Sequence, residues 1–308
     1  MASLTQTQTQ TIAHAQPQAR RQPIDWSRAF IYTVLIVGAL LSILPFVYML
    51  LTSLKSNGSV IVNNFWPWAP FGTEPLQFNN FPDAIKEAGF DKQWGVPLIV
   101  RYFVNSIIVS GATLFGTLTT SVLAAYALTH INIPGKNVLF ILILATIMIP
   151  NDLTLVPKVV MMFNLGWYNT YAALIVPFLA SVFGIFLLRQ FFMQIPKDLF
   201  EAALLDGAGH LRYLWTVVLP LSKPAVVTIA LLNFIAAWDS FKWPLLVTRD
   251  SSMRVIAVGL QQFNATDGGT QTQWMMAFAA MVVLPVIILY FLTQKYFTES
   301  IARTGIKG

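Results

Sequence analysis

The sequence predicts an all-α, polytopic membrane protein with six transmembrane helices, and three observations carry that reading. Of 308 residues, 56% are hydrophobic and only 10% are charged. An ordinary globular domain is about 25% charged, so this apolar surplus has to face lipid. Six runs come close to or exceed the ~20 mainly apolar residues that a helix needs to cross the hydrocarbon core. With the N-terminus inside, the inner segments hold eleven Lys and Arg against five acids, which puts the whole net charge of +6 on one side. That asymmetry is the positive-inside bias of membrane proteins. A β-barrel would instead show segments of about ten residues with alternating polarity, and these runs are longer and continuously apolar.

Residues 1–28 are rich in Gln and Thr and too poor in apolar side chains to bury a core. They read as a disordered cytoplasmic tail, with 29–308 as the membrane domain. Arg20-Arg21 is separated from the first apolar run by a polar stretch with Asp25, so no twin-arginine signal is read there. The first span, about 30–54, is too long for the apolar region of a signal peptide. An outer loop over residues 55–97 carries Trp66, Pro67, Trp68 and Pro70, then an amphipathic piece at 81–90. It serves equally as an interfacial anchoring belt or as a docking surface for an external partner. The second span is about 99–128 and the third about 138–156, the latter interrupted by Pro150, Asn151 and Asp152. Spans four to six are about 171–192, 225–247 and 275–297. Pro150, Pro177 and Pro285 are expected to kink helices, which membrane bundles tolerate. Gly111, Gly116 and Gly184 suit close helix packing. Outer segments at 157–170 and 248–274 complete the external face, the second reading as a mobile loop at Gly268-Gly269.

The inner loop at 194–220 is the longest polar interruption on that side. Pro196 suits a first helical turn, Asp198 and Glu201 form a capping pair beside the helix N-terminus, and Gly207 and Gly209 permit the left-handed backbone that ends a helix. A second amphipathic piece at 210–219 places Leu211, Leu214, Trp215 and Val218 on one face, and Leu219-Pro220 closes it. Taken alone, such a piece reads as an interfacial helix lying on the bilayer. The order Glu201-Ala202-Ala203, Asp206-Gly207-Ala208 and then Leu219-Pro220 is far more specific. It resembles the EAA loop of permease subunits in ATP-binding-cassette (ABC) importers. Three further stretches extend the resemblance to carbohydrate importers of the maltose and glycerol-phosphate type: 235–246 around Trp238-Asp239, 257–263, and the C-terminal Gly305-Ile306-Lys307-Gly308. Lys242 departs from the usual apolar or aromatic residue at its place.

The resemblance implies a type I ABC importer transmembrane fold with a cytoplasmic coupling helix. It implies a heterodimer with a second permease subunit, two ABC ATPase subunits beneath and an extracytoplasmic sugar-binding protein above, in the inner or plasma membrane of a prokaryote. Glu201, Ala202, Ala203, Asp206, Gly207, Ala208, Leu219 and Pro220 would contact the ATPase, and Lys307 and Gly308 would reach between the ATPases. Mg-ATP would be bound on the partners, and no cofactor is expected in this chain.

The residues agree with that division of labour. Cys is absent, no Gly-x-x-x-x-Gly-Lys-Ser/Thr loop is present, and the His at 14, 130 and 210 lack metal-ligand spacing, so the chain is not expected to be an enzyme. Polar residues inside a membrane are functional candidates by default. Asn105, Asn233, Trp238 and Asp239 are the substrate-path candidates because a sugar site wants amide and carboxylate hydrogen bonds and an aromatic face. Interhelical hydrogen bonding is the plainer role for Asn105 and Asn233, and an ion pair with Lys242 for Asp239. Arg101 and Lys242 are the available cations for a phosphorylated solute. The rival class is a self-sufficient secondary transporter, which often shows internal repeats and charged relays; no repeat between the two halves supports it.

Overall fold

The computed structural model describes residues 26–56, 60, 75–264 and 271–304. The tail at 1–25, Trp66, Pro67, Trp68 and Pro70, the Gly268-Gly269 pair, and the C-terminal 305–308 with Lys307 and Gly308 lie outside the described residues. Helix α1, Trp26–Ser53, starts three residues inside the segment assigned to the tail. Its apolar side chains from Phe30 to Val47 are exposed on every side, the pattern of a helix that meets lipid all round.

After α1 comes the short amphipathic helix α2, Asn80–Glu87, which buries Ala84. Its neighbour Ala88 is buried too. Gly89 leaves it with φ +91° and leads into a two-stranded hairpin, β1 (Phe90–Asp91) antiparallel to β2 (Val96–Pro97). The 33-residue α3, Leu98–His130, follows directly. Asn105, Ser106, Ser110, Thr113, Thr117 and Ser121 are all buried along it. Recurring every three or four residues, they form an inward polar stripe.

The third span differs from its expected course. Helix α4, Lys136–Ala145, tightens into a 3-10 turn at Thr146–Met148, and α5, Asn151–Asn164, departs at 94°. Residues 151–156 therefore belong to a new helix beyond a sharp break. Pro150 excludes helical backbone from Ile149, which is extended at ψ 112°, and Asp152 in the first turn of α5 favours a fresh N-terminus.

Helix α6, Tyr171–Ile175, continues as a 3-10 turn at Val176–Phe178 and breaks before α7, Val182–Phe192. A break inside a membrane strands backbone carbonyls, which must be satisfied by neighbours. Here α3 supplies the donors: Thr117 Oγ1 donates to Phe178 O (2.7 Å) and Thr120 Oγ1 to Leu179 O (2.6 Å). Helix α3 is approached closely at two glycines, by α7 at Gly184 and by the break before α7 at Gly116. A Cβ on Gly184 would sit 2.7 Å from Ser121 Oγ, and one on Gly116 would sit 2.3 Å from Leu179 Cδ2. Gly111 has open space around it and packs against nothing, contrary to expectation.

Beyond α7 lies α8, Lys197–Leu205, then α9, His210–Tyr213, a π-helical turn at Leu214–Val218 and a last turn at Leu219–Leu221. Helix α10, Lys223–Trp238, leaves that piece at 82°. The chain breaks again before α11, Lys242–Val247, passes through α12, Ile256–Leu260, and ends in α13, Thr272–Thr304. Among the described residues four helices are long and apolar enough to cross a membrane, or six if each bent pair is one span. Within residues 48–308, α3 packs along α7 and α10, and α13 along α10 and α2.

Candidate coupling segment and translocation cavity

The segment from α8 to the turn at Leu219–Leu221 is built by local rules. Pro196 occupies the N-cap of α8 without a side-chain capping bond, so the Asp198–Glu201 pair acts through charge alone. At the other end Gly207 takes φ +76°. Ala208 N donates to Ala203 O (2.8 Å) and Gly207 N to Leu204 O (3.0 Å), the paired bonds of a Schellman motif. Gly209 stands at φ −74°, so the left-handed residue is Gly207 alone. Glu201, Ala202, Asp206 and Gly207 are exposed, Ala203 is half-buried and Ala208 is buried. Leu204 and Leu205, 50% and 90% exposed, complete an uncovered apolar patch rimmed by two acids. Further on, Leu219 is half-buried and Pro220 exposed.

The following piece buries a different face from the one expected. Tyr213, Leu214 and Val218 are buried, whereas Leu211 and Trp215 point outward, 66% and 68% exposed. The π turn inserts an extra residue into the helical period, so the face traced with 3.6 residues per turn slips.

An aromatic cluster ties this segment to the end of α3. Phe200 of α8 stacks on His210 (centroids 5.1 Å) and meets Tyr213 edge-on (5.0 Å). His210 Nδ1 lies 2.9 Å from Tyr126 Oη, and the Tyr126 ring stacks on His130 at 4.8 Å. His130 Nδ1 in turn lies 2.7 Å from Thr129 Oγ1. Sequence reasoning missed these residues. His130 and His210 looked scattered, and only the fold brings them onto one tyrosine.

The second feature is a cavity of about 250 Å³ where the two helix breaks face α3, lined by Thr113, Ser181, Asn233, Ser240 and Trp243 among others. Thr113 Oγ1 is buried with no partner. Asn233 Nδ2 donates back to Ile229 O (2.9 Å), and no described residue bonds its carbonyl. Trp243 Nε1 donates across to Ala173 O of α6 (2.9 Å), tying the two broken helices together.

The four substrate-path candidates part company here. Asn233 lines the cavity. Asn105, fully buried, donates to Ser252 O (2.8 Å) and Arg254 O (2.9 Å) and accepts from the Tyr171 hydroxyl. It holds the loop at 252–254 against α3. Trp238 is 1% exposed, stacks on Phe234 and donates to Val282 O (3.1 Å), a core position. Asp239 is exposed at the C-cap of α10. Lys242 pairs with Asp152 at 3.4 Å and not with Asp239, because the break between α10 and α11 destroys the i,i+3 register. Arg101 lies 3.8 Å from Asp91, donates to Ser252 O and stacks over Trp94 at 3.6 Å, so it is engaged at the N-terminal end of α3. Among the described residues, no group of His, Cys, Asp and Glu has the makings of a metal site.

Broken spans around a mainly apolar cavity that carries a few hydroxyls and one amide, with an uncovered helix-turn segment, define a polytopic membrane permease. Residues 116–303 match the model of the binding-protein-dependent transport system inner membrane component, and the chain belongs to that family. It is similar to the sn-glycerol-3-phosphate transport system permease protein UgpE of Yersinia pestis, at 36% identity over 64% of this chain and 71% of that one. The homologous UgpE of Rhizobium meliloti is 32% identical over 89% of this chain and 95% of its own length. A solved bacterial ABC transporter involved in import of the acidic polysaccharide alginate has a chain that superposes with a TM-score of 0.75 and 26% identity. The match covers 92% of this chain and 100% of that one. The chain is thus the inner-membrane permease of a binding-protein-dependent ABC importer and not itself an enzyme. The secondary-transporter alternative is set aside.

Proposed function

We propose that this permease forms half of a six-plus-six-helix translocation path with a second permease, and that it imports a carbohydrate or polyol by alternating access. Two ATPase subunits carrying Mg-ATP dock on the segment at 194–220, with Glu201, Ala202, Ala203, Asp206, Gly207, Ala208, Leu219 and Pro220 at or behind the contact. Both termini are cytoplasmic, and the tail with Lys307 and Gly308 reaches the ATPases. The observation that carries the coupling assignment is the Schellman-ended α8. It leaves Leu204 and Leu205 uncovered between Glu201 and Asp206, while Phe200 packs on His210 and Tyr213 of the same segment and on His130 at the end of α3. Closure of the ATPases would move α8 as a rigid body, and the aromatic cluster would pass that motion to α3.

The cavity chemistry supports a neutral polyhydroxy solute on this half. Its described lining is mainly apolar, with three hydroxyls, one amide and an indole face but no cation, and the candidates Arg101 and Lys242 have acid partners elsewhere. Glycerol phosphate is the second reading, favoured by the UgpE relatives. It requires the other permease to supply the positive charge. Uptake of labelled sugars, polyols and glycerol phosphate by cells with and without the chain separates the two. Co-purification from mild detergent tests the assembly, the expected partners being a second permease and an ATPase with Walker motifs. A monodisperse homo-oligomer without an ATPase would refute it.

A further inference from the structure

A second cavity, about 530 Å³, opens where α3 and α7 end and where α4 and α8 begin. That volume lies within the roughly 300–1,000 Å³ of small-molecule sites. Three cations converge on it from three different elements: Lys136 at the start of α4, Arg189 in the last turn of α7 and Lys197 at the start of α8. Glu201 also lines it, but no carboxylate among the described residues is ion-paired with any of the three. Clustered like charges are unfavourable unless counter-charges join them, and against these three cations the described lining supplies the single carboxylate of Glu201.

The cations are also held in place. Lys136 Nζ donates to Thr129 O (3.4 Å) and Ile131 O (3.2 Å), the carbonyls at the end of α3, and a third proton remains available. Arg189 is fixed by its guanidinium lying 4.1 Å over the Phe140 ring and by a long bond from Nη2 to Asn137 Oδ1 (3.5 Å). The side chain is half-buried, but its Nε is buried and has no partner among the described residues, and a buried donor left unmet costs free energy. Asn132, Asn137 and Thr129 add uncharged polar groups to the wall.

We propose that this cavity binds a phosphate-bearing anion, gripped by Arg189 and Lys136 and closed over by Lys197. A planar guanidinium with a neighbouring ammonium suits phosphate oxygens. The position, where apolar helices end, is one at which basic pockets between membrane helices take anionic lipid head groups. A soluble phosphoester presents the same chemistry from the water side. The site lies away from the cavity lined by Asn233 and does not depend on which solute is carried.

The full chain in mild detergent provides the test. Native mass spectrometry compares retention of phosphatidylglycerol with that of phosphatidylcholine. Separately, thermal unfolding compares inorganic phosphate with chloride at fixed ionic strength. Preferential retention of phosphatidylglycerol identifies a lipid head group as the source. A rise in unfolding temperature specific to phosphate identifies a soluble one. In either case Arg189→Gln should weaken the effect on the order of tenfold, the loss of one charge-assisted contact, and Lys136→Gln by a similar factor. Lys197→Gln lies on an exposed position and keeps the test open if Arg189→Gln is not made in folded form. No lipid preference together with no phosphate effect overturns the proposal. So does a preference that all three variants retain unchanged.

Discussion

Replacing Gly207 separates backbone geometry from folding in the coupling segment. Its φ of +76° is left-handed, and a Cβ built there meets nothing within 4 Å. The penalty of a side chain is therefore all backbone, about 1–2 kcal/mol for an L-residue forced into that region. Every ~1.4 kcal/mol is tenfold in a population, so the turn that ends α8 would be formed about five- to thirtyfold less often. Gly207→Asp adds a charge beside Asp206 at the negative end of the helix dipole, worth about 0.3–1 kcal/mol more. Gly207→Asn is the isosteric control, since Asn tolerates left-handed backbone. The assay is solute uptake in cells whose own copy is deleted, normalised to chain in the membrane. Uptake should fall about tenfold or more for Gly207→Asp and stay close to wild type for Gly207→Asn. Normal uptake by Gly207→Asp made at wild-type levels would refute the role given to this turn.

The close approach of α3 and α7 makes Gly184→Ala destabilising by about 1–3 kcal/mol, read as earlier thermal unfolding in detergent. Ser121→Ala in the same chain should recover much of the loss, because the atom met at 2.7 Å is Ser121 Oγ. Thr117→Val removes the donor to Phe178 O and should cost about 1–2 kcal/mol, whereas Thr117→Ser should cost less. Asn233→Ala should lower uptake without changing the amount of folded chain, while Asn105→Ala should lower the folded amount, because its amide secures Ser252 and Arg254. Equal effects of the two on both readouts would contradict that division. Lys242→Ala should change unfolding by under about 1 kcal/mol, since its pair with Asp152 is exposed on both sides.

Much of this architecture is legible locally. The apolar runs at about 30–54, 99–128 and 275–297 overlap α1, α3 and α13, because hydrophobic length is a property of a single segment. Gly207 was legible too, since a helix end needs only nearby backbone. The interruption at Pro150 was legible as well, since the proline acts on the residue before it and Asp152 favours a new helix after it. What failed had causes beyond the segment. The π turn at Leu214–Val218 shifts the buried face by one residue, which no fixed period anticipates. Trp238 carries an aromatic face, but Phe234 and Val282 O take it into the core. The meeting of Tyr126, His130, Phe200 and His210 requires elements about 80 residues apart to pack together, and a single sequence gives no sign of it.

The two helix breaks and the coupling segment are one mechanical problem. Breaking α6–α7 strands Phe178 O and Leu179 O, and the hydroxyls of α3 take them up. The break at residues 239–241 keeps its bonds local, with Asp239 N still donating to Ile235 O (2.9 Å). Each break turns small or polar residues, Ser181 and Ser240, toward the same cavity, and the Trp243 indole bridges from α11 to Ala173 O across it. Phe178 meets the Trp243 ring edge-on at 5.7 Å, so neither break shifts without straining the other. Helix α7 runs from the first break to Phe192, and α8 begins five residues later. In the proposed cycle, a displacement of α8 therefore has two routes to the cavity: along α7 to Ser181, and through the Tyr126–His210 contact into α3 beside Thr113. Weakening one route alone, as Tyr126→Phe would, should slow uptake less than Gly207→Asp, which loosens the end of the helix that drives both.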